Sequence, residues 1–358
     1  MAKFSTQNNL RGLAKFVRQN RGRLLIGYLS YDLAYELHGL RTSLPANQQL
    51  PQIYFLAFDT WRQITQQEIL TANLPTTPGT QNFKPKLTLP QYQKIFRQIQ
   101  TYLRMGEIYQ INFTHPLTGA TDLSARTLFA KILAVNPIPN ALYLEGENFE
   151  ILSFSPESFL KIQNNQIETR PIKGTAARTA IPAKDLSLKK SLQESPKEKA
   201  ELNMITDLLR NDLNQVCRPG SVQLTAARLF QKCPQVWHTY SRITGTLATS
   251  PLAALLKMFP GGSVTGCPKK RALEIIEELE SQRRGLYTGA IGQIDPQGNL
   301  DFRIAIRTII KKQTRLSLQV GSGIVIDSTA EAEFAETLQK AKPFLQALAW
   351  TRQNRIIT

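Results

Sequence analysis

Cysteine is scarce in this chain: Cys217, Cys233 and Cys267 are its only three among 358 residues. Thiols so few and so scattered make neither a disulfide framework nor a zinc site, and they read as plain buried or half-buried side chains. Histidine is as rare, limited to His38, His115 and His238. No apolar run approaches the roughly 18 residues that a membrane span needs. The opening Met1-Ala2-Lys3-Phe4-Ser5-Thr6-Gln7 lacks the apolar core of a signal peptide, so a cytoplasmic protein with no membrane contact is expected. Acid is also in short supply, with 27 Asp and Glu against 44 Lys and Arg, a net charge of +17. The bases are dispersed rather than gathered into a stripe or tail. That argues against nucleic acid as a partner and suits the capture of a small anion.

What is present describes an ordinary globular chain, 42% apolar and 20% charged. Its length exceeds what one simple core serves, so two subdomains around a cleft are expected. The run Arg21–Tyr31 reads as a strand, Asp32–Glu36 as the start of a helix, and residues 52–65 as a strand pair. Residues 75–90, rich in Pro, Thr, Gly and Gln, read as a linker. They divide a short N-terminal part (1–74) from a catalytic body (91–358). Ser195-Pro196-Lys197-Glu198 is a capping box that opens a helix with Leu202, Ile205, Leu209 and Leu213 on one stripe. Ser328 with Glu331 reads as a second box, opening a helix towards Trp350. Residues 286–294, 300–310 and 315–326 look like one antiparallel meander, turning first at Asp295–Asn299. Strands beside helices, without a βαβ rhythm, argue for α+β.

Six motifs stand in order: Gly106-Glu107-Ile108-Tyr109-Gln110, Ser155-Pro156-Glu157-Ser158-Phe159, Pro171-Ile172-Lys173-Gly174-Thr175, the run Glu201–Asp212, Pro260–Lys269, and Gly321–Ser328. Together they resemble the chorismate-utilising enzymes, namely anthranilate synthase component I, aminodeoxychorismate synthase component I, and the isochorismate and salicylate synthases. The resemblance runs from about Gly106 to Leu345. It implies a two-subdomain sandwich of antiparallel sheets flanked by helices around a central cleft. The Leu-Leu-Glu-Ser-type element that binds tryptophan in anthranilate synthases has no match here. Pro260–Lys269 does not fit a phosphate loop, because Cys267-Pro268 separates Gly266 from Lys269.

The residues suggest tasks, and the resemblance sharpens them. Glu201 lies four residues before Ile205, so it should point inward, and Glu333, Glu336 and Lys340 share one helix face. Inward carboxylates are costly unless neutralised, and two of them with water and substrate oxygens suit Mg²⁺. Read alone they are equally surface glutamates. The resemblance makes Glu201 and Glu336 the Mg²⁺ ligands, with Glu333 a possible third. It assigns Tyr287, Arg307 and the Gly321-Ser322-Gly323 backbone to a carboxylate, Gly174 and Thr175 to the ring's neighbourhood, and His238 to a general acid. Gln110 stands where water-using relatives carry a basic lysine. Glutamine cannot take a proton, so ammonia is favoured as the nucleophile. Arg170 stands where those relatives often show a glutamate. Lys173 marks the aminodeoxychorismate branch, where anthranilate synthases typically carry alanine. Its amine would add to the ring and later be displaced by ammonia; read alone it could instead pair with the substrate electrostatically. The implied partners are chorismate, ammonia and a separate glutamine amidotransferase, component II.

Overall fold

The computed structural model describes residues 1–7, 9–46, 50–73, 83–232 and 236–349. Two antiparallel sheets carry the chain. The first runs, in spatial order, Ala2–Thr6, Ile53–Phe58, Leu24–Leu29, Ala290–Ile294, Leu300–Ile304, Ser158–Gln163, Gln166–Thr169, Val236–Thr246 and Ile172–Ala177. Gln223–Lys232 adds to the Val236–Thr246 strand. The second runs Gly266–Cys267, Gln110–Ala120, Arg315–Ile324, Thr308–Lys312, Glu150–Ser153 and Leu142–Glu145, with Lys84–Pro85 against Gln110–Ala120. A buried cluster unites the sheets, taking Tyr28, Tyr54 and Ile291 from the first and Leu144, Ile151 and Ile310 from the second. Helices flank the strands, and the class is α+β.

The Pro196–Asn214 helix forms with half of its expected capping box, because the Ser195 amide donates to the Ser191 carbonyl instead of to the Glu198 side chain. Ser195 accepts from the Glu198 amide at 3.3 Å, Pro196 occupies the first turn, and Leu202, Ile205, Leu209 and Leu213 are all buried. Each of those side chains contributes about 1.5–3 kcal/mol on leaving water. A buried ion pair braces the centre. Arg284 reaches Glu280 at 2.7 Å, lies over the Tyr31 ring at 4.5 Å, and donates to the Asn112 carbonyl. Glu280 in turn accepts from the Thr114 amide at 3.0 Å, so the pair fixes the strand that begins at Gln110.

Three further expectations need correction. Residues 52–65 hold one strand, Ile53–Phe58, and Trp61 and Ile64 beyond it are exposed. Thr65 and Glu68 cap each other's amides there and open the helix Gln66–Asn73 instead. The meander is split between the sheets, because Leu300–Ile304 pairs in the first and Thr308–Lys312 in the second. Ile304 and Ala305 are both buried, which breaks the period of two, and Arg307 turns the chain in the left-handed region at φ 49°. Ser328 does not pair with Glu331. Its hydroxyl donates to Glu333 at 2.7 Å, while Glu331 accepts from Gln93, and the helix runs Ala330–Ala349. Arg170 is half exposed and pairs with Glu168 at 2.6 Å, away from the groups that converge below. Cys217 is buried and Cys267 half-buried, both free; Cys233 and Trp350 lie outside the described residues.

Candidate active site

The centre of the site is a meeting of three strands. Lys173 lies on Ile172–Ala177, Gln110 opens Gln110–Ala120, and Gly323 lies near the end of Arg315–Ile324. A Cβ on Gly323 would stand 3.1 Å from Lys173 Nζ and 3.3 Å from Gln110 Nε2. The missing side chain is what lets the amine and the amide meet there. Gln110 is fully buried, yet neither its Oε1 nor its Nε2 has a partner among the described residues. Two orphaned amide atoms at full burial imply a ligand that satisfies them.

Around Lys173 the backbone is shaped for close approach. Gly174 takes φ +85°, and a Cβ there would meet Thr239 Oγ1 at 2.7 Å and Glu198 Oε2 at 3.0 Å. Thr239 Oγ1 donates to the Lys173 carbonyl. Thr175 Oγ1 lies 2.9 Å from His238 Nδ1 on the neighbouring strand. Burial, aided by the nearby Arg307 charge, pulls His238 down to about 4, so the imidazole is neutral at pH 7. A neutral imidazole is a poor general acid until an anion arrives beside it.

Carboxylates gather on the other flank of Lys173. Glu201 lies 3.8 Å from Lys173 Nζ and 3.9 Å from Lys197, and Glu336 lies 2.7 Å from Lys340. Burial pushes Glu198 upward, and Glu201 and Glu336 add to the rise, which places carboxylates of two helices within mutual influence. Burial likewise raises Glu333, whose Oε2 is a buried acceptor without a partner. Burial also acts upward on Glu336, but Lys340 outweighs it and holds the group below its ordinary value.

The groups expected to hold a carboxylate gather around the Gly321–Gly323 backbone. Lys340 Nζ donates to the Gly321 carbonyl at 2.8 Å. In a ladder that carbonyl shares its edge with the Gly321 amide and, two residues on, with Gly323. The neighbouring Thr308–Lys312 strand stops pairing at Leu318, so this edge is open at the glycines. Ser322 faces the opposite side of the strand, where its hydroxyl meets Tyr92, so only its backbone can serve a substrate. Tyr287 is buried, and burial raises its phenol. Thr288 and Arg307, both in the left-handed region at φ 62° and 49°, form the turns beside it. Such strain persists where surroundings enforce it, as at binding sites.

Two groups escaped the sequence reading. Glu157 is buried, accepts from Ser263 at 2.7 Å, and feels the charges of Lys173, Lys340 and Arg307. Burial outweighs those charges and leaves its pKa raised. The Ser155–Phe159 motif named it without revealing where it points. Glu198 reads from sequence as a capping residue, yet its spacing of three from Glu201 places both on one helix face. Lys269 is committed to Asp212 at 2.9 Å and to the Met258 carbonyl, so it holds no phosphate.

This geometry has relatives. The model of the chorismate binding enzyme family matches residues 2–346. The chain belongs to that family. It is 35% identical over 346 residues to the aminodeoxychorismate synthase component 1 of Klebsiella aerogenes, covering 90% of this chain and 76% of that protein. It is 34% identical over 337 residues to the anthranilate synthase component 1 of Saccharolobus solfataricus, covering 90% and 80%. Among solved structures, anthranilate synthase component I of Streptococcus pneumoniae superposes with a TM-score of 0.82 at 25% identity, covering 96% of this chain and 89% of that one. The chain is thus a chorismate-binding enzyme by family, and its two-sheet α+β fold is the one those synthases share.

Whether the family's carboxylates suit a cation can be judged from the donors. Among the described residues no three His, Cys, Asp or Glu side chains close on one point. Glu201 lies beside Lys173, Glu336 beside Lys340, and Glu333 Oε2 is a buried acceptor without a partner among the described residues. Two carboxylates completed by water and substrate oxygens are how Mg²⁺ is commonly held, so the donor set fits. Among the described residues no helix is long and apolar enough to cross a membrane.

Proposed function

We propose that the protein is the chorismate-aminating component of aminodeoxychorismate synthesis, which replaces the 4-hydroxyl by ammonia to give 4-amino-4-deoxychorismate for 4-aminobenzoate and folate. The observation that carries this reading is the amine of Lys173 beside the amide of Gln110 over Gly323. A primary amine there is a nucleophile, and glutamine offers no base for water. The Klebsiella relative, named for this activity, supports the choice.

In this reading the open edge of Gly321 and Gly323, with Arg307 and Tyr287, holds the enolpyruvyl carboxylate. Glu201 and Glu336 hold Mg²⁺, with Glu333 and Glu198 beside them; when bound, the ion neutralises and orients the ring carboxylate. Lys173 sheds a proton and its Nζ bonds to ring C2. The two ring double bonds each shift by one position, C4–O breaks, and the hydroxide leaves as water on taking a proton. In this reading Glu157, a buried carboxyl whose pKa burial raises, supplies that proton, and His238 joins it once anion binding favours its charged form. Ammonia then bonds to C4, the double bonds return, and the C2–N bond breaks to free Lys173. Gln110 orients the ammonia through its orphaned amide oxygen. A glutamine amidotransferase, the component II that the relatives' naming implies, supplies it.

Anthranilate synthesis is the second reading, favoured by the identity to the Saccharolobus protein. Mass spectrometry of the product from chorismate, Mg²⁺ and an ammonium salt decides between them. Aminodeoxychorismate supports the proposal. Anthranilate as the main product would overturn it, and isochorismate or salicylate would move the protein into the water-using branch.

A further inference from the structure

Tyr92 belongs to no motif, and its position is unusual for a residue outside one. It lies on the helix Leu89–Arg104 with its whole side chain buried. Its ring packs against Phe113 at 5.6 Å and Phe334 at 5.3 Å, so the ring alone would satisfy the core. The hydroxyl is a different matter. A buried phenol costs free energy unless it finds a partner, and phenylalanine would fill the same space without that cost. Its partner is Ser322 Oγ at 3.2 Å, itself fully buried.

Ser322 is the middle of Gly321-Ser322-Gly323. Side chains alternate along a strand, so its hydroxyl points to the helix side, away from the face on which Gly323 meets Lys173 and Gln110. The strand here pairs along Gln110–Ala120 alone, since pairing with Thr308–Lys312 ends at Leu318, and the open edge is met only by the Lys340 amine at the Gly321 carbonyl. Glycines are also the least restrained residues in a strand. A half-paired, glycine-rich edge needs another anchor to keep its amides aimed.

We propose that Tyr92 is a positioning residue: its hydroxyl pins Ser322 from behind and so fixes where the open backbone edge of Gly321 and Gly323 meets the substrate's carboxylate. The inference rests on the chorismate reading above. The same hydroxyl pair lies near Glu333 and Glu336, so the anchor also ties the edge to the helix that bears those carboxylates.

The test is a double-mutant cycle read as chorismate affinity, measured by calorimetric titration with Mg²⁺ in a Lys173→Ala background so that no adduct forms. Tyr92→Phe should weaken binding about two- to tenfold, the worth of one hydrogen bond. Ser322→Ala should do the same, and the double variant should lose no more than either alone. Ile99→Val, a buried change on the same helix, should lower the melting temperature without touching affinity. Wild-type affinity in Tyr92→Phe overturns the inference. So does a fully additive double variant, because Tyr92 would then not act through Ser322. If either variant fails to fold, the other single variant still gives the decisive affinity. A protein with Tyr92 intact that binds no chorismate overturns the reading of the site, and this inference with it.

Discussion

Adding one methyl group at Gly323 tests the geometry at the centre of the site most directly. The new Cβ would stand 3.1 Å from Lys173 Nζ and 3.3 Å from Gln110 Nε2. Both neighbours are the far ends of flexible side chains, so they give by a few tenths of an ångström and the fold survives. Misplacing a reacting group by 1 Å costs about 10²-fold in rate, so a shift of a few tenths predicts a loss of roughly tenfold. Gly321, two residues earlier, makes the control. A Cβ there would meet the Phe113 carbonyl and Thr114 Cγ2, each at 2.8 Å, and a paired backbone cannot move aside. Gly321→Ala should therefore lower the melting temperature, by an amount in the range of overpacking, about 1–3 kcal/mol. The assay is the rate of product formation from chorismate and ammonium, beside a thermal melt of each variant. Gly323→Ala should melt like the wild type and turn over about tenfold more slowly. A Gly323→Ala protein with wild-type turnover, or one that unfolds while Gly321→Ala does not, would refute the proposed meeting of amine and amide.

Lys173→Ala should abolish the covalent adduct that intact-protein mass spectrometry detects when ammonia is withheld, a gain of chorismate less water, and should remove most aminodeoxychorismate. Aminodeoxychorismate at the wild-type rate in that variant would make the lysine a spectator. Glu336→Gln removes a carboxylate that Lys340 keeps ionised. Calorimetric Mg²⁺ affinity should fall at least tenfold with the melting temperature little changed, and an unchanged affinity rejects the ligand assignment. His115 and His238 are buried neutral, with pKa values lowered to about 4 from 6.5. The unfolded chain therefore binds more protons between those values, so their contribution to stability is complete above about pH 6.5 and is lost as pH falls towards 4. Denaturant midpoints should drop from pH 7 to 4.5, and His115→Gln should flatten that slope; a slope unaltered by this change contradicts the burial argument.

The sequence revealed elements well where local physics decides and poorly where a distant partner does. Ser195, Pro196 and the 202–213 stripe specify their helix within twenty residues, and the structure agrees. The strand expected over 300–310 failed for the opposite reason. Its residues are apolar enough for one long strand, but the chain must cross from one sheet to the other, and only Arg307's left-handed backbone shows where. The same division holds in the site. Glu201 and Glu336 stand out by helical spacing and the family resemblance, Lys173 by its short motif alone. Nothing in Ser-Pro-Glu tells that the Glu157 carboxyl lies within the influence of three cations contributed by other elements. Tyr92 carried no signal at all, since a tyrosine in an amphipathic helix reads as core. What makes it more than core is the serine 230 residues away that its hydroxyl meets, a pairing that exists only once the two sheets and their helices are assembled. Residues that touch substrate tend to come with short-range signatures, because the chemistry dictates their type. Those that hold them in place answer to the packing of this particular fold, and there the structure had to speak first.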